Sequence, residues 1–262
     1  MFTIDLSGKT VAVTGASQGI GKAISEVFVE NGANVILLSR NKNKLAVVEA
    51  GLKPACTSAQ KIKYYLLDVS KPEQVEKVFK QIGHVDILIN NAGVIFTSSV
   101  QDMPTDKWKE LLEINLNGAM YCSKAVVKSM TEKKWGRIIN ISSTSGKSGE
   151  AYNSAYNASK FALIGFTQAL ALEVAKYNIT VNAICPGWTE TKMAKDLVHD
   201  PAYSKAVNIP LEKLEEYSIY AVPIERYVEP KEVGYLALYL ASDYASAIVG
   251  QAINLCGGLC MH

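Results

Sequence analysis

The sequence is poor in the residues from which several functional classes are built. It has only three histidines, His84, His199 and His262, scattered over 262 positions. A His-rich metal site is therefore not expected, and a serine nucleophile would lack a clear motif partner. The five cysteines (Cys56, Cys122, Cys185, Cys256 and Cys260) include no Cys-x-x-Cys pair. Cys122 and Cys185 stand in apolar runs, as small core residues do, and a reduced, cytoplasmic location is expected. The formal net charge is +2, without a basic or acidic tail, so nucleic acid is not expected as a partner. The opening MFTIDLSGKT has no signal-peptide-like apolar run, and no stretch reads as membrane-spanning. Internal repeats, low-complexity tracts and linkers rich in Pro, Gly or Ser are also missing.

What is present is ordinary for a globular chain: 48% hydrophobic and 20% charged residues, enough for a sizeable core. Short β-rich runs (KTVAVTGA, NVILLSR, KIKYYLLDV, VDILINNA, GRIINISS, ITVNAICPG and AIVGQAINLCGG) alternate with longer amphipathic segments such as GKAISEVFVENG, KPEQVEKVFKQIG and SKFALIGFTQALALEVAKY. Runs apolar throughout suit strands covered on both faces. The alternation predicts a single-domain, Rossmann-type α/β fold over residues 1–262, a doubly wound parallel sheet of about seven strands with helices on both faces. One long region, from about Trp188 to Arg226, reads as irregular, and its length in a compact domain points to a lid.

VAVTGASQGIGKAI sets Gly15, Gly19 and Gly21 between the first strand and the first helix. A pyrophosphate resting on a helix N-terminus needs a tight turn and unobstructed backbone amides. Three glycines alone make an ordinary turn; their place after an N-terminal strand points to a dinucleotide. GASQG also matches a hydrolase nucleophile elbow, but no earlier strand precedes it to supply an oxyanion hole. SGKSG at 145–149 resembles the end of a P-loop, whose first glycine would fall at Ile141. After the second strand stand Ser39 and Arg40, where a free ribose 2′-hydroxyl would call for Asp or Glu. A hydroxyl and a cation suit a 2′-phosphate, hence NADPH.

AYNSAYNASK holds two tyrosines, Tyr152 and Tyr156. Lys160 lies four residues after Tyr156, so a helix brings these two onto one face. An ammonium beside a phenol favours the phenolate and lowers a pKa that is otherwise near 10. Such a phenol can act as acid in ketone reduction and as base in alcohol oxidation. Upstream, GRIINISSTSG is a buried strand ending in serines at the C-terminal sheet edge, where ligands sit in open α/β folds.

TGASQGIG, NNAG, EINLNG, INISS, YNASK and NAICPGWTETKM, in that order from Gly8 to Gly258, resemble the short-chain dehydrogenase/reductase superfamily. The resemblance implies that Ser143, thirteen positions before Tyr156, is the catalytic serine rather than Ser142. It implies that Asn115 holds a water near Lys160, which itself grips the nicotinamide ribose. The turn residues Gly15, Ser17, Gln18, Gly19, Ile20 and Gly21, with Ser39 and Arg40, would bind the cofactor. Asp68, with Val69 beside it, would contact adenine; Asn91, Ala92 and Gly93 would flank its ribose. Pro186, Gly187 and Thr189 would flank the nicotinamide, and Thr191 its phosphates. The segment after Ser143, VPIERYVEP and NLCGGL look most like the ketoreductases of aromatic (type II) polyketide synthases, with the 3-oxoacyl-carrier-protein reductases next. Those enzymes reduce a ketone of a carrier-protein-bound chain with NADPH and are typically homotetramers. Where they often carry Pro-Gly-Gly after NNAG this chain has VIFTSS, which leaves the product stereochemistry open. In the lid, Tyr203, Leu211, Leu214, Tyr217 and Tyr220 are candidates to line a pocket, or to pack the lid itself. Lys42, Lys44, Lys192 and Lys195 are candidates to steer an acidic carrier protein.

Overall fold

The seven apolar runs form seven strands in a computed structural model that describes residues 3–262. They are β1 (Thr10–Thr14), β2 (Asn34–Ser39), β3 (Ile62–Leu66), β4 (Ile87–Asn90), β5 (Gly136–Ile141), β6 (Ile179–Pro186) and β7 (Ala252–Leu255). They make one sheet in the order β3-β2-β1-β4-β5-β6-β7. Every neighbouring pair is parallel, with Val11 opposite both Val35 and Ile87. The expected architecture is therefore present.

Alternate side chains feed two cores. On one face Val11, Val13, Val35, Leu37, Ile87 and Ile89 pack against α1 (Gly19–Glu30), α2 (Lys42–Leu52) and α10 (Pro230–Ala241). On the other, Ala12, Ile36, Leu38, Leu88, Ile138 and Val181 meet α3 (Pro72–Ile82), α5 (Gly118–Lys133) and α6 (Ser154–Val174). Because both faces are covered, β5 and β6 are buried at every position, Arg137, Asn140, Thr180 and Asn182 included. Each fully buried Val, Leu or Ile contributes about 1.5–3 kcal/mol. By length and composition Ser154–Tyr177 is apolar enough to cross a membrane, contrary to the reading of the sequence. In the fold, its Leu170, Ala171 and Val174 pack into the second core.

The segment between β6 and α10 departs from expectation. It folds as α7 (Lys192–Val198), α8 (Pro201–Val207) and α9 (Leu214–Tyr220). Thr191 caps α7 through the Ala194 amide, and Asp200 caps α8 through the Ala202 amide. Seven-residue helices span two turns, too short to display a helical period in sequence. They share a small core of their own, Val198, Tyr203 and Leu214, flanked by Trp188, Leu197, Val207 and Ile209.

Candidate active site

The strand order reverses between β1 and β4, and a cleft of about 570 Å³ opens over the C-terminal edge of the sheet there. Its rim is fixed by polar side chains. Thr14 Oγ1 accepts from the amides of Asn91 (2.9 Å) and Ala92 (3.0 Å), while Asn91 Nδ2 donates to Thr14 O at 2.9 Å. The chain leaves β1 at Gly15 with φ +66°, where a Cβ would lie 2.8 Å from Asn91 Nδ2. Only glycine meets both demands. Of the residues assigned to the site from sequence, all but Gly21 and Asn115 line this cleft. A Cβ on Gly21 would fall 2.5 Å from Gly15 O, so this glycine lets α1 lie against the turn; it does not itself line the cleft.

The β1 end of the cleft fits a phosphorylated dinucleotide. Gln18 at the head of α1 makes no capping bond through its side chain, and the first turn holds no acidic residue. The helix N-terminus is left available to an anion. Ser39 Oγ bonds Ser17 Oγ at 3.0 Å, placing two hydroxyls at the end of β2. Arg40 is exposed beside them. Among the described residues no ion pair involves it.

At the other end, Ser143 leaves β5 buried and accepts from the Ser145 amide at 3.1 Å. Tyr156 and Lys160 sit one turn apart on α6, with the ammonium 5.6 Å from the phenol ring centroid. Lys160 is buried, and its Nζ donates to Ile141 O at 2.8 Å. Tyr156 stays partly open to the cleft. Tyr152, by contrast, precedes the helix, with φ +64° and an exposed side chain. Of the two tyrosines, Tyr156 lines the cleft and Tyr152 does not.

The charge balance differs from the reading of the sequence. Burial pushes the Tyr156 phenol up to about 12; a hydrogen bond with Ser143 opposes this and the Glu150 carboxylate adds to it. Burial also pulls Lys160 down to about 8. Desolvation thus outweighs the one lowering influence on the phenol, the Ser143 hydrogen bond. At neutral pH Tyr156 keeps its proton, the form that can donate it.

Asn115 lies in a π-helical turn, Glu113–Asn117, between α4 (Thr105–Leu112) and α5. Its Oδ1 accepts from Val94 N at 2.8 Å, and its Nδ2 donates to Val94 O (2.9 Å) and Ser159 Oγ (3.1 Å). It therefore ties the loop after β4 to α6 beside Lys160. A π-turn at a site is a common device for aiming one residue.

Of the lid candidates, Tyr203 and Tyr217 line the cleft, while Leu214 packs in the lid core. Leu211 and Tyr220 are exposed and face elsewhere. Trp188 stacks on Tyr227 at 5.9 Å and meets Tyr203 edge-on at 6.2 Å. The lysines are partly engaged: Lys44 donates to Gln18 Oε1 at 2.7 Å, Lys192 pairs with Asp196 at 2.6 Å and Lys195 with Glu190 at 3.4 Å. Sequence reasoning missed Glu150, Trp188, Leu259 and Cys260 as cleft residues. Each follows the C-terminal end of a strand, β5, β6 or β7, and the edge rule that picked Ser143 points to them as well.

The family model for short chain dehydrogenase matches residues 9–202. The chain is 35% identical to D-beta-hydroxybutyrate dehydrogenase of Cupriavidus necator, over 97% of this chain and 98% of the relative. It is 37% identical to a 3-oxoacyl-acyl-carrier-protein reductase of Vibrio cholerae, over 98% and 100%. Its structure matches a variant actinorhodin polyketide ketoreductase with NADPH at TM-score 0.90 and 36% identity, covering 98% of this chain and 99% of that one.

Proposed function

Because this chain belongs to the short-chain dehydrogenase family, we propose that it is an NADPH-dependent ketoreductase that converts one ketone of a carrier-protein-bound polyketide to a secondary alcohol. One observation carries the reading: Ser143, Tyr156 and Lys160 share the wall of a cleft whose far end offers a bare helix N-terminus and Arg40, which has no ion-pair partner among the described residues. The turn after β1, Ser39 and Arg40 hold the phosphates; Asp68, Val69 and Asn91 to Gly93 frame the adenosine side; Pro186, Gly187, Thr189 and Thr191 border the nicotinamide side. NADPH supplies the hydride when bound.

The hydroxyls of Ser143 and Tyr156 donate to the ketone oxygen and hold the carbonyl in place. Tyr156 passes its proton to that oxygen as negative charge develops there. Lys160, anchored by Ile141 O, stabilises the phenolate left behind. Asn115 acts as a positioning residue, fixing α6 through Ser159, and helps keep a water near Lys160.

The likeness to a polyketide ketoreductase over nearly the whole chain and the aromatic lid over residues 188–226 support a folded polyketide substrate. The 37% identity to a 3-oxoacyl-acyl-carrier-protein reductase favours a second reading, the same chemistry on a linear chain. Exposed Phe161 and Leu172 on α6 support a homotetramer built on that helix. The five free thiols suit the cytoplasm. The test follows NADPH oxidation by the purified protein with a bicyclic ketone and an acetoacetyl thioester side by side. Preference for the bicyclic ketone supports the first reading and preference for the thioester the second. Activity with neither overturns both.

A further inference from the structure

The loop between β5 and α6 carries one carboxylate into the substrate end of the cleft. Both oxygens of Glu150 are held from below. Ser145 Oγ donates to Oε1 at 2.7 Å and Asn153 Nδ2 to Oε2 at 3.1 Å. The two anchors are buried, at 5% and 0% exposure, so the carboxylate is fixed although the residue is open to solvent. It lines the cleft beside Ser148, Tyr156 and Tyr203, and its charge is felt at the hydroxyls of both tyrosines.

Among the described residues no ion pair engages it. The basic residues lining the cleft are Arg40, Lys160 and Lys192. Arg40 stands at the far end, after β2. Lys160 is buried against Ile141 O, and Lys192 is paired with Asp196. Lys147, in the same loop as Glu150, does not line the cleft.

We propose that Glu150 is a specificity-determining residue that rejects keto acids bearing a free carboxylate and admits neutral ketones such as thioesters. This deepens the function proposed above and rests on it. In a small β-keto acid the carboxylate lies two bonds from the ketone carbon, in the part of the cleft that Glu150 lines when that ketone reaches Tyr156. Like charges sharing a partly solvated cleft disfavour binding by about tenfold. A thioester in the same place carries no charge and meets no such repulsion. Glu150 also offers an acceptor to a hydroxyl of an incoming neutral chain. The relative from Cupriavidus necator is named for a carboxylate substrate; with Glu150 in its cleft, this chain is expected to disfavour such a substrate.

The test compares kcat/KM for acetoacetate and for an acetoacetyl thioester in the wild type, Glu150→Gln and Glu150→Lys. Glutamine keeps the anchoring, because the Ser145 hydroxyl can turn and accept from the new amide. The acetoacetate-to-thioester ratio rises about tenfold in Glu150→Gln and further in Glu150→Lys, mostly through KM for acetoacetate. A ratio that stays within about twofold in both variants overturns the proposal. In parallel, calorimetry compares binding of acetoacetate with neutral acetoacetamide by the same three proteins loaded with NADP+. If no ketone is turned over but acetoacetate binding tightens in the variants, the reductase reading fails and the role of Glu150 stands. If turnover is clear and neither ratio moves, Glu150 loses its role and the reductase reading stands.

Discussion

At the β1–β4 end of the cleft the ligand-facing groups are backbone amides and side chains seated on the sheet, among residues buried in the large first core. At the lid end they hang from seven-residue helices that share a core of three buried residues, Val198, Tyr203 and Leu214. The first arrangement cannot change without disturbing the sheet. The second can open alone, because few apolar contacts bind it to the rest. A cofactor common to a whole family suits the rigid end, and substrates that differ between relatives suit the lid.

The sharpest way to break this comparison is to remove the group on which the two ends converge. Tyr156→Phe lowers kcat by about 100- to 10,000-fold while NADPH affinity, measured by fluorescence titration, stays at the wild-type value. Retained turnover would remove Tyr156 from catalysis; lost NADPH binding would show that the phenol belongs to the cofactor end.

Equal truncations in the two cores come next. Leu37, in β2, and Leu214, in α9, are both 0% exposed. A buried Leu→Ala change costs about 2–5 kcal/mol. In Leu37→Ala that loss lowers the global unfolding midpoint. In Leu214→Ala it loosens the lid, so KM for the ketone rises and lid amides exchange faster, while the global midpoint and NADPH affinity hold. Equal global losses in both variants would mean that the lid is an integral part of the main core.

How much of this was readable in sequence follows the same division. Short β-rich, mostly apolar runs alternate with longer amphipathic segments, so all seven strands were found. The glycine turn and the Tyr156–Lys160 spacing were readable because each carries its own geometry, a positive φ at Gly15 and one helical turn on α6. The lid read as irregular because its helices are two turns long; Glu150, Leu259 and Cys260 carry no period in their loops, and only their place after strand ends points to them. Gly21 was readable as part of the glycine turn, but its close fit of α1 against Gly15 is visible only in three dimensions. The direction of the phenol's shift was out of reach for a different reason: spacing reports a neighbouring charge but not the depth of burial, and burial decides here.

A smaller effect sharpens the cofactor end. Arg40→Ala removes the cation from the end of β2. Loss of a charge-assisted hydrogen bond costs about 1.5–3 kcal/mol, so the Kd for NADPH rises about 10- to 100-fold while that for NADH changes little. An equal loss for both cofactors would mean that Arg40 meets a part the two share, and not the 2′-phosphate.

The smallest effect separates the ends by pH. Lys160 is buried and titrates near 8 in the fold, against an ordinary 10.5. Between those values the unfolded chain holds a proton that the folded chain has released, so stability rises with pH, by up to about 1.4 kcal/mol per unit. Below about 8 both states are protonated and the cost of the buried ammonium is constant. Tyr156 acts oppositely but later: its phenol is raised to about 12 from 10, so its contribution is intact below pH 10 and lost as pH rises towards 12. Urea unfolding of the wild type and Lys160→Met at steps from pH 7 to 10 isolates the lysine. The difference between them moves in favour of the wild type above about pH 8. A flat line would mean that the Lys160 ammonium is as well solvated as a surface charge, and that the end of the cleft built around Tyr156 is wetter than its packing requires.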